Sequence, residues 1–266
     1  MQLTDAQLRE FDEAGWLFLP DCFSEEEVAA LRAEALAIYA SDREQVWREK
    51  SGAPRTAFAA HTYNDGFAIL GSHPRLVEPV AQLFGEPVYM HQFKINAKAP
   101  FDGEVWQWHQ DYGTWARDDG MPEPRAMNIA VFLDEVMAVN GPLMVIPKSH
   151  KKGVLAAGHD LQTTSYPLWT LDNDVITELV AEGGIVAPTG LPGSVLMFHG
   201  NLVHASPPNI TPYPRKIVYL TLCAVSNHIR TPTRPEWIAH RDFTPIEPVA
   251  DDALLTFAQQ HPLAAE

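Results

Sequence analysis

The segment EVWQWHQDYGTW, residues 104–115, alternates aromatic and polar residues and holds a histidine and an aspartate two apart, His109 and Asp111. In an extended strand successive side chains point to opposite faces, so residues two apart project to the same side. One imidazole and one carboxylate then converge from a rigid element, and a second imidazole from elsewhere would complete a two-histidine, one-carboxylate face. Such a face suits Fe(II), because three coordination positions stay open for a bidentate cosubstrate and O2. The spacing alone is weak: with 11 histidines in the chain, roughly one chance pair of this kind is expected. A second pair does occur, His240 and Asp242, but only His261 follows it, in a polar tail. His109 and Asp111 sit in an aromatic strand with several histidines downstream, and they are taken as the ligands.

His150, His159, His199, His204 and His228 compete for the third position. The run GSVLMFHGNLVHASPPN, residues 193–209, reads as a turn, an apolar strand and a Pro/Asn-rich bend, with His199 and His204 at its end. Arg215, 11 residues beyond His204, opens the apolar run RKIVYLTLCAV. Two neighbouring strands of one hairpin would present His204 and Arg215 to a common cavity. The planar guanidinium matches a carboxylate bidentately, which fits the distal carboxylate of a dicarboxylic cosubstrate. His199 is placed around the site or in the core.

The elements that must carry these groups fall into two textures. Thr4 with Gln7 and Ser24 with Glu27 make capping boxes that open helices, the first ended by Gly15. GWLFLP, residues 15–20, reads as a brief strand, and a third helix starts at Pro74 and runs to Gly85. Beyond Gly85 short apolar or alternating runs are separated by Gly, Pro and Asn, the pattern of a β-sandwich or barrel. Polar insertions at 111–124 and 151–190 are long enough for lids or binding loops. The expected organisation is one domain over 1–266: a helical part to about 85, a β core over about 86–230, and a tail over 231–266.

Composition narrows the function classes. The net charge of −15 disfavours nucleic acid and anionic membrane faces as partners. Two cysteines, Cys22 and Cys223, stand outside any zinc or disulfide spacing. No signal peptide or bilayer-spanning stretch is read, so a cytoplasmic monomer or homodimer is expected.

These motifs resemble the phytanoyl-CoA dioxygenase superfamily, and within it the ectoine hydroxylases. The similarity runs through the HQ-x-x-IN-x-K segment at 91–98, WHQDYGTW at 108–115, NGPLMVIPKSH at 140–150, FHGNLVHASPPN at 198–209 and RPEWIA at 234–239. The resemblance implies a mainly β, double-stranded β-helix (jelly-roll, cupin-like) core with flanking helices, and an Fe(II)- and 2-oxoglutarate-dependent hydroxylase consuming O2. It implies His109, Asp111 and His204 as iron ligands, and Arg215 and Lys98, with Asn96, on the cosubstrate. It implies Gln92 and Trp115 on the substrate, and Lys94, which departs from the family pattern, is read as a further substrate contact. Ectoine hydroxylases usually read W-H-S-D-F-E-T-W-H here; Gln110, Tyr112, Gly113 and Ala116 depart from that pattern. A pocket with Gln92, Lys94, Asn96 and Trp115 offers hydrogen bonds and an aromatic face to a cation, so a small zwitterionic metabolite, an amino acid or an ectoine-like compound, is the expected substrate class. A cupin-type isomerase or lyase using the same three ligands without 2-oxoglutarate is the alternative, and it leaves Arg215 no role.

Overall fold

A computed structural model describes residues 1–262 of the chain. Its strands are β1 (Trp16–Leu19), β2 (Val46–Arg48), β3 (Pro54–Phe58), β4 (Val88–Lys98), β5 (Trp106–His109), β6 (Ala126–Phe132), β7 (Met144–Val145), β8 (Gly158–Asp160), β9 (Leu168–Thr170), β10 (Val195–His199), β11 (His204–Ser206) and β12 (Arg215–Ala224). The helices are α1 (Asp5–Ala14), α2 (Glu25–Tyr39), α3 (Asp65–Gly71), α4 (Pro74–Phe84), α5 (Asp111–Asp118), α6 (Asn173–Gly183) and α7 (Ala253–Gln260). An antiparallel sheet in the order β1-β10-β6-β12-β4-β3-β2 faces a smaller one, β5-β11-β7, and β8 and β9 form a separate hairpin. With helices on the outer face, this is the double-stranded β-helix.

Strand periodicity explains why the large sheet can be buried on both sides. On β4, Phe93, Ile95 and Ala97 enter the core beneath the helices, while Gln92, Lys94, Asn96 and Lys98 take the alternate positions that face into the roll. On β12, Val218, Leu220 and Leu222 pack with the helical side, and Ile217 and Tyr219 join the cluster between the sheets. A run with no polar face is thus a strand buried on both faces.

Both capping boxes form, Thr4 with Gln7 and Ser24 with Glu27, and Gly15 ends α1 at φ 83. The α4 helix begins at Pro74 and ends at Gly85 as expected. Three features correct the sequence reading. The brief strand read at 15–20 forms as β1 and pairs with β10, but the first 85 residues also hold two strands that were not read, β2 and β3, which extend the sheet beyond β4. Strands of three to five residues are too short to show a period, and the proline of β3 stands at its first position, Pro54, where a missing N–H is tolerated. The 111–124 insertion begins with helix α5, and 151–190 contains the β8–β9 hairpin and α6 rather than a bare loop. Among the described residues no helix is long and apolar enough to cross a membrane.

Burial leaves several histidines neutral. His61 and His199 are pushed down to about 4 and His240 to about 3, desolvation being the first cause in each. The unfolded chain regains the ordinary value of 6.5 and takes up protons first as the pH falls. Stability is therefore full above pH 6.5 and is lost progressively toward pH 4. The melting temperature of the metal-free protein is expected to decline through that window. A flat profile between pH 7 and 4.5 would refute this.

Candidate active site

β5 and β11 pair with His109 opposite His204, and the two rings lie 4.1 Å apart between centroids. Each ring directs Nδ1 at a nearby backbone carbonyl, His109 to Gln107 at 2.6 Å and His204 to Leu202 at 2.9 Å. A carbonyl only accepts, so Nδ1 carries the proton and Nε2 keeps its lone pair for a metal.

Asp111 is not on the strand, contrary to the sequence reading, but is the first residue of α5. The two-residue alternation still holds, because Gln110 between them is extended at φ −120 and ψ 125. Gln110 holds this turn: its amide nitrogen donates to Gly153 and Asn201 carbonyls, and its oxygen accepts from the Leu155 amide. The Asp111 carboxylate lies 3.5 Å from Nε2 of each histidine. One ligand atom from each of the three residues falls within 4.8 Å of the others. Two imidazoles and a carboxylate so arranged, with both Nδ1 atoms already committed, fit a divalent iron.

Asn128 on β6 donates to Asp111 Oδ2 at 2.7 Å, and Thr221 donates to the Asn128 oxygen at 2.9 Å, fixing the direction of the amide. Sequence reasoning missed Asn128; its signal was a lone amide inside the apolar run AMNIAVF. Burial alone would raise the Asp111 carboxyl. The attraction of the groups around it, His204, Lys94 and His109, outweighs burial and holds the carboxyl well below the carboxylate range. The His204 imidazole is pushed down to about 3 by burial and then by His109, so it stays neutral and available.

An inner chamber opens beside the triad, bordered by Asn96, Ser206, Arg215, Tyr219 and Lys94. Arg215 is 1% exposed, and its Nε and Nη1 have no hydrogen-bond partner among the described residues. A buried guanidinium with idle donors needs an anion, and a dicarboxylate reaching from the metal would supply one. Asn96 accepts from Thr56 at 3.0 Å, which leaves its amide nitrogen as a donor. The route to this chamber differs from the expected hairpin: His204 and Arg215 come from strands in the two facing sheets.

Lys98 departs from its expected place. Its amine donates to the carbonyls of Glu104 and Pro207, and it borders neither chamber. Position 94, four residues back on the same face, puts a lysine at the boundary of both chambers instead. Burial lowers the Lys94 ammonium, against the pull of Asp111.

The outer chamber, about 240 Å³, lies beyond the triad. Trp47, Trp106, Tyr166 and Trp169 border it, with Gln92 and Trp115 on its inner side. Gln92 spends its amide nitrogen on the Ile238 carbonyl. Trp115 is 1% exposed, packed with Tyr89, Tyr112 and Met121, so most of its surface is core and one edge meets the chamber. Arg234 and Asp118 also border the space; Arg234 forms a two-armed ion pair with the fully buried Asp119. RPEWIA thus contributes a cation that sequence reasoning assigned no role. Of the other histidines, His159 borders the outer chamber, stacked on Trp169, whereas His199 packs near His150 and accepts from the Asn201 amide, and His240 packs edge-on against His61.

Comparison with known proteins agrees with this geometry. The profile of the phytanoyl-CoA dioxygenase (PhyH) family matches residues 11–217. L-proline trans-4-hydroxylase of Streptomyces griseoviridis is 35% identical over 263 residues, 95% of this chain and 98% of that protein. The ectoine dioxygenase of Sphingopyxis alaskensis is 38% identical over 251 residues, 88% of this chain and 82% of that protein. A crystal structure of EctD from S. alaskensis with 2-oxoglutarate and 5-hydroxyectoine superposes with a TM-score of 0.83 at 36% identity, covering 93% of this chain and 87% of that one. The same enzyme with bound Fe gives 0.82.

Proposed function

The chain belongs to the phytanoyl-CoA dioxygenase family, and from that premise we propose how its own residues carry out the hydroxylation of a small polar metabolite. It is an iron- and 2-oxoglutarate-dependent dioxygenase. When bound, iron and 2-oxoglutarate supply the oxidising chemistry, in which O2 is consumed, succinate and CO2 are released, and one oxygen atom enters a substrate C–H bond. We assign the metal to His109, Asp111 and His204, and the far carboxylate of the cosubstrate to Arg215. The idle Nε and Nη1 of that buried arginine carry the assignment. Asn96 and Lys94 complete the polar lining there, and Lys94 takes the cosubstrate place first expected of Lys98.

The protein's contribution is placement and exclusion of water. Asn128 keeps Asp111 turned toward the two Nε2 atoms, and the carbonyls of Gln107 and Leu202 fix both ring tautomers. The aromatic walls of the outer chamber shield the reacting bond from solvent.

The substrate is read as a zwitterion. A cationic centre would rest on the indole and phenol faces of Trp47, Trp106 and Tyr166, and a carboxylate would meet Arg234 or Lys94. Ligand pockets for drug-sized molecules run to roughly 300–1,000 Å³; a chamber of about 240 Å³ matches a free amino acid or ectoine-like solute and leaves no room for a CoA thioester. Gln92 and the exposed edge of Trp115 are further contacts in this reading. The unit is taken as one domain over 1–266, since strands from the first 58 residues lie in the core sheet; residues 263–266 of its tail lie outside the described residues. It works in the cytoplasm as a monomer or homodimer. Substrate-dependent succinate release across a panel of amino acids and compatible solutes tests the proposal. At least one zwitterion should stimulate turnover well above the substrate-free rate. Stimulation only by uncharged or acyl-CoA compounds would reject the zwitterion assignment.

A further inference from the structure

Lys98 ends β4 and is 1% exposed. It pairs across the sheet with Arg215, yet its stem leaves the cavity side through a gap between two glycines. A Cβ at Gly103 would stand 2.7 Å from Lys98 Cβ and 2.9 Å from Cγ, and one at Gly141 would stand 2.7 Å from Cδ. Gly141 also holds φ at 82, a left-handed conformation that favours glycine. At the end of this channel the amine donates to the carbonyls of Glu104 at 2.5 Å and Pro207 at 2.7 Å. Burial, then Arg215 and Arg55, pushes the amine down to about 6. A methionine would fill the same channel without the desolvation of an amine beside two guanidiniums. What lysine adds is the pair of N–H bonds.

The two accepting carbonyls share one property, their place in the chain. Glu104 lies two residues before β5, which ends on His109, and Pro207 directly follows β11, which begins with His204. These strands are four and three residues long, and their register slips between His204 and Ser206, so the ladder alone fixes the histidines through few bonds. Neighbouring bonds close the same ring: the Asn209 amide donates to Gly103 and the Ser206 hydroxyl to Gly141. We propose that Lys98 is a positioning residue for the metal centre, fastening the entry of β5 to the exit of β11 and so setting the separation of His109 and His204. This rests on the assignment of the metal to that triad.

The test is Lys98→Met, read by anaerobic Fe(II) titration without 2-oxoglutarate and by amide hydrogen exchange over 104–109 and 204–207. Metal affinity is expected to fall about tenfold or more, the scale of losing a partner that orients ligands, and exchange in both segments to quicken. Gly103→Ala presses a methyl into the lysine stem while keeping the amine, and it decides the matter if Lys98→Met does not fold. It should produce the same two changes, and the double variant should bind metal no more weakly than Lys98→Met alone. Wild-type metal affinity in both single variants overturns the proposal. So does a loss confined to 2-oxoglutarate affinity, which would make Lys98 a cosubstrate contact. His109→Ala in the same titration isolates the premise: unchanged binding there means the triad assignment, not the clamp, has failed.

Discussion

Replacing His204 with alanine is expected to abolish stoichiometric Fe(II) binding and substrate-dependent succinate release together. The triad supplies three donors, each histidine has one nitrogen spent on a carbonyl, and among the described residues no further histidine, cysteine or acidic residue joins the cluster to replace Nε2. Loss of an orienting partner costs about 10- to 100-fold in metal affinity, and loss of a direct ligand must exceed that. Asn128→Leu supplies the comparison, because it removes only the bond that turns Asp111 and should fall within that smaller range. Metal that binds the native state raises the melting temperature. His204→Ala should therefore melt near the metal-free wild type and show no upward shift with added iron. Should the variant keep wild-type iron affinity, the metal lies elsewhere and the site assignment is wrong.

Arg215→Ala should produce the second-largest effect, and on a different quantity. Truncating one partner of a buried, hydrogen-bonded charge pair costs about 2–5 kcal/mol, which is roughly 30- to 5,000-fold in affinity. The loss should fall on the half-saturating concentration of 2-oxoglutarate, with Fe(II) affinity in its absence unchanged. A 2-oxo acid lacking the distal carboxylate should be nearly indifferent to the substitution, since it never engaged the guanidinium. Arg215→Lys should recover little, because an ammonium cannot form the paired bonds of the planar fork. Full activity in Arg215→Ala would instead favour a metalloenzyme that uses the triad without 2-oxoglutarate.

Much of the molecule was legible in the residues. Capping boxes at Thr4 and Ser24 and the stop at Gly15 are local devices, set by side chains within a turn of each other, and the folded chain keeps all three. The spacing of His109 and Asp111 survives a wrong assignment of the element, because only the extended geometry of Gln110 matters to where both side chains point. β2 and β3 were illegible: strands of three and five residues carry too little pattern to separate from loop.

The sequence by itself determined the donor types, their short-range spacing and the double-sided burial of the central strands, since these follow from covalent order and backbone period. Only the tertiary structure decided which of the equally spaced lysines on β4 meets the chambers. Lys94 and Lys98 lie on one face, and strand period cannot tell them apart; the gap between Gly103 and Gly141 draws Lys98 away. It also brought Asn128 and Arg234 to the site from positions far along the chain, and placed His204 and Arg215 on facing sheets rather than on one hairpin. Contacts of that kind depend on how two sheets close over each other, a long-range arrangement that no local run of residues encodes.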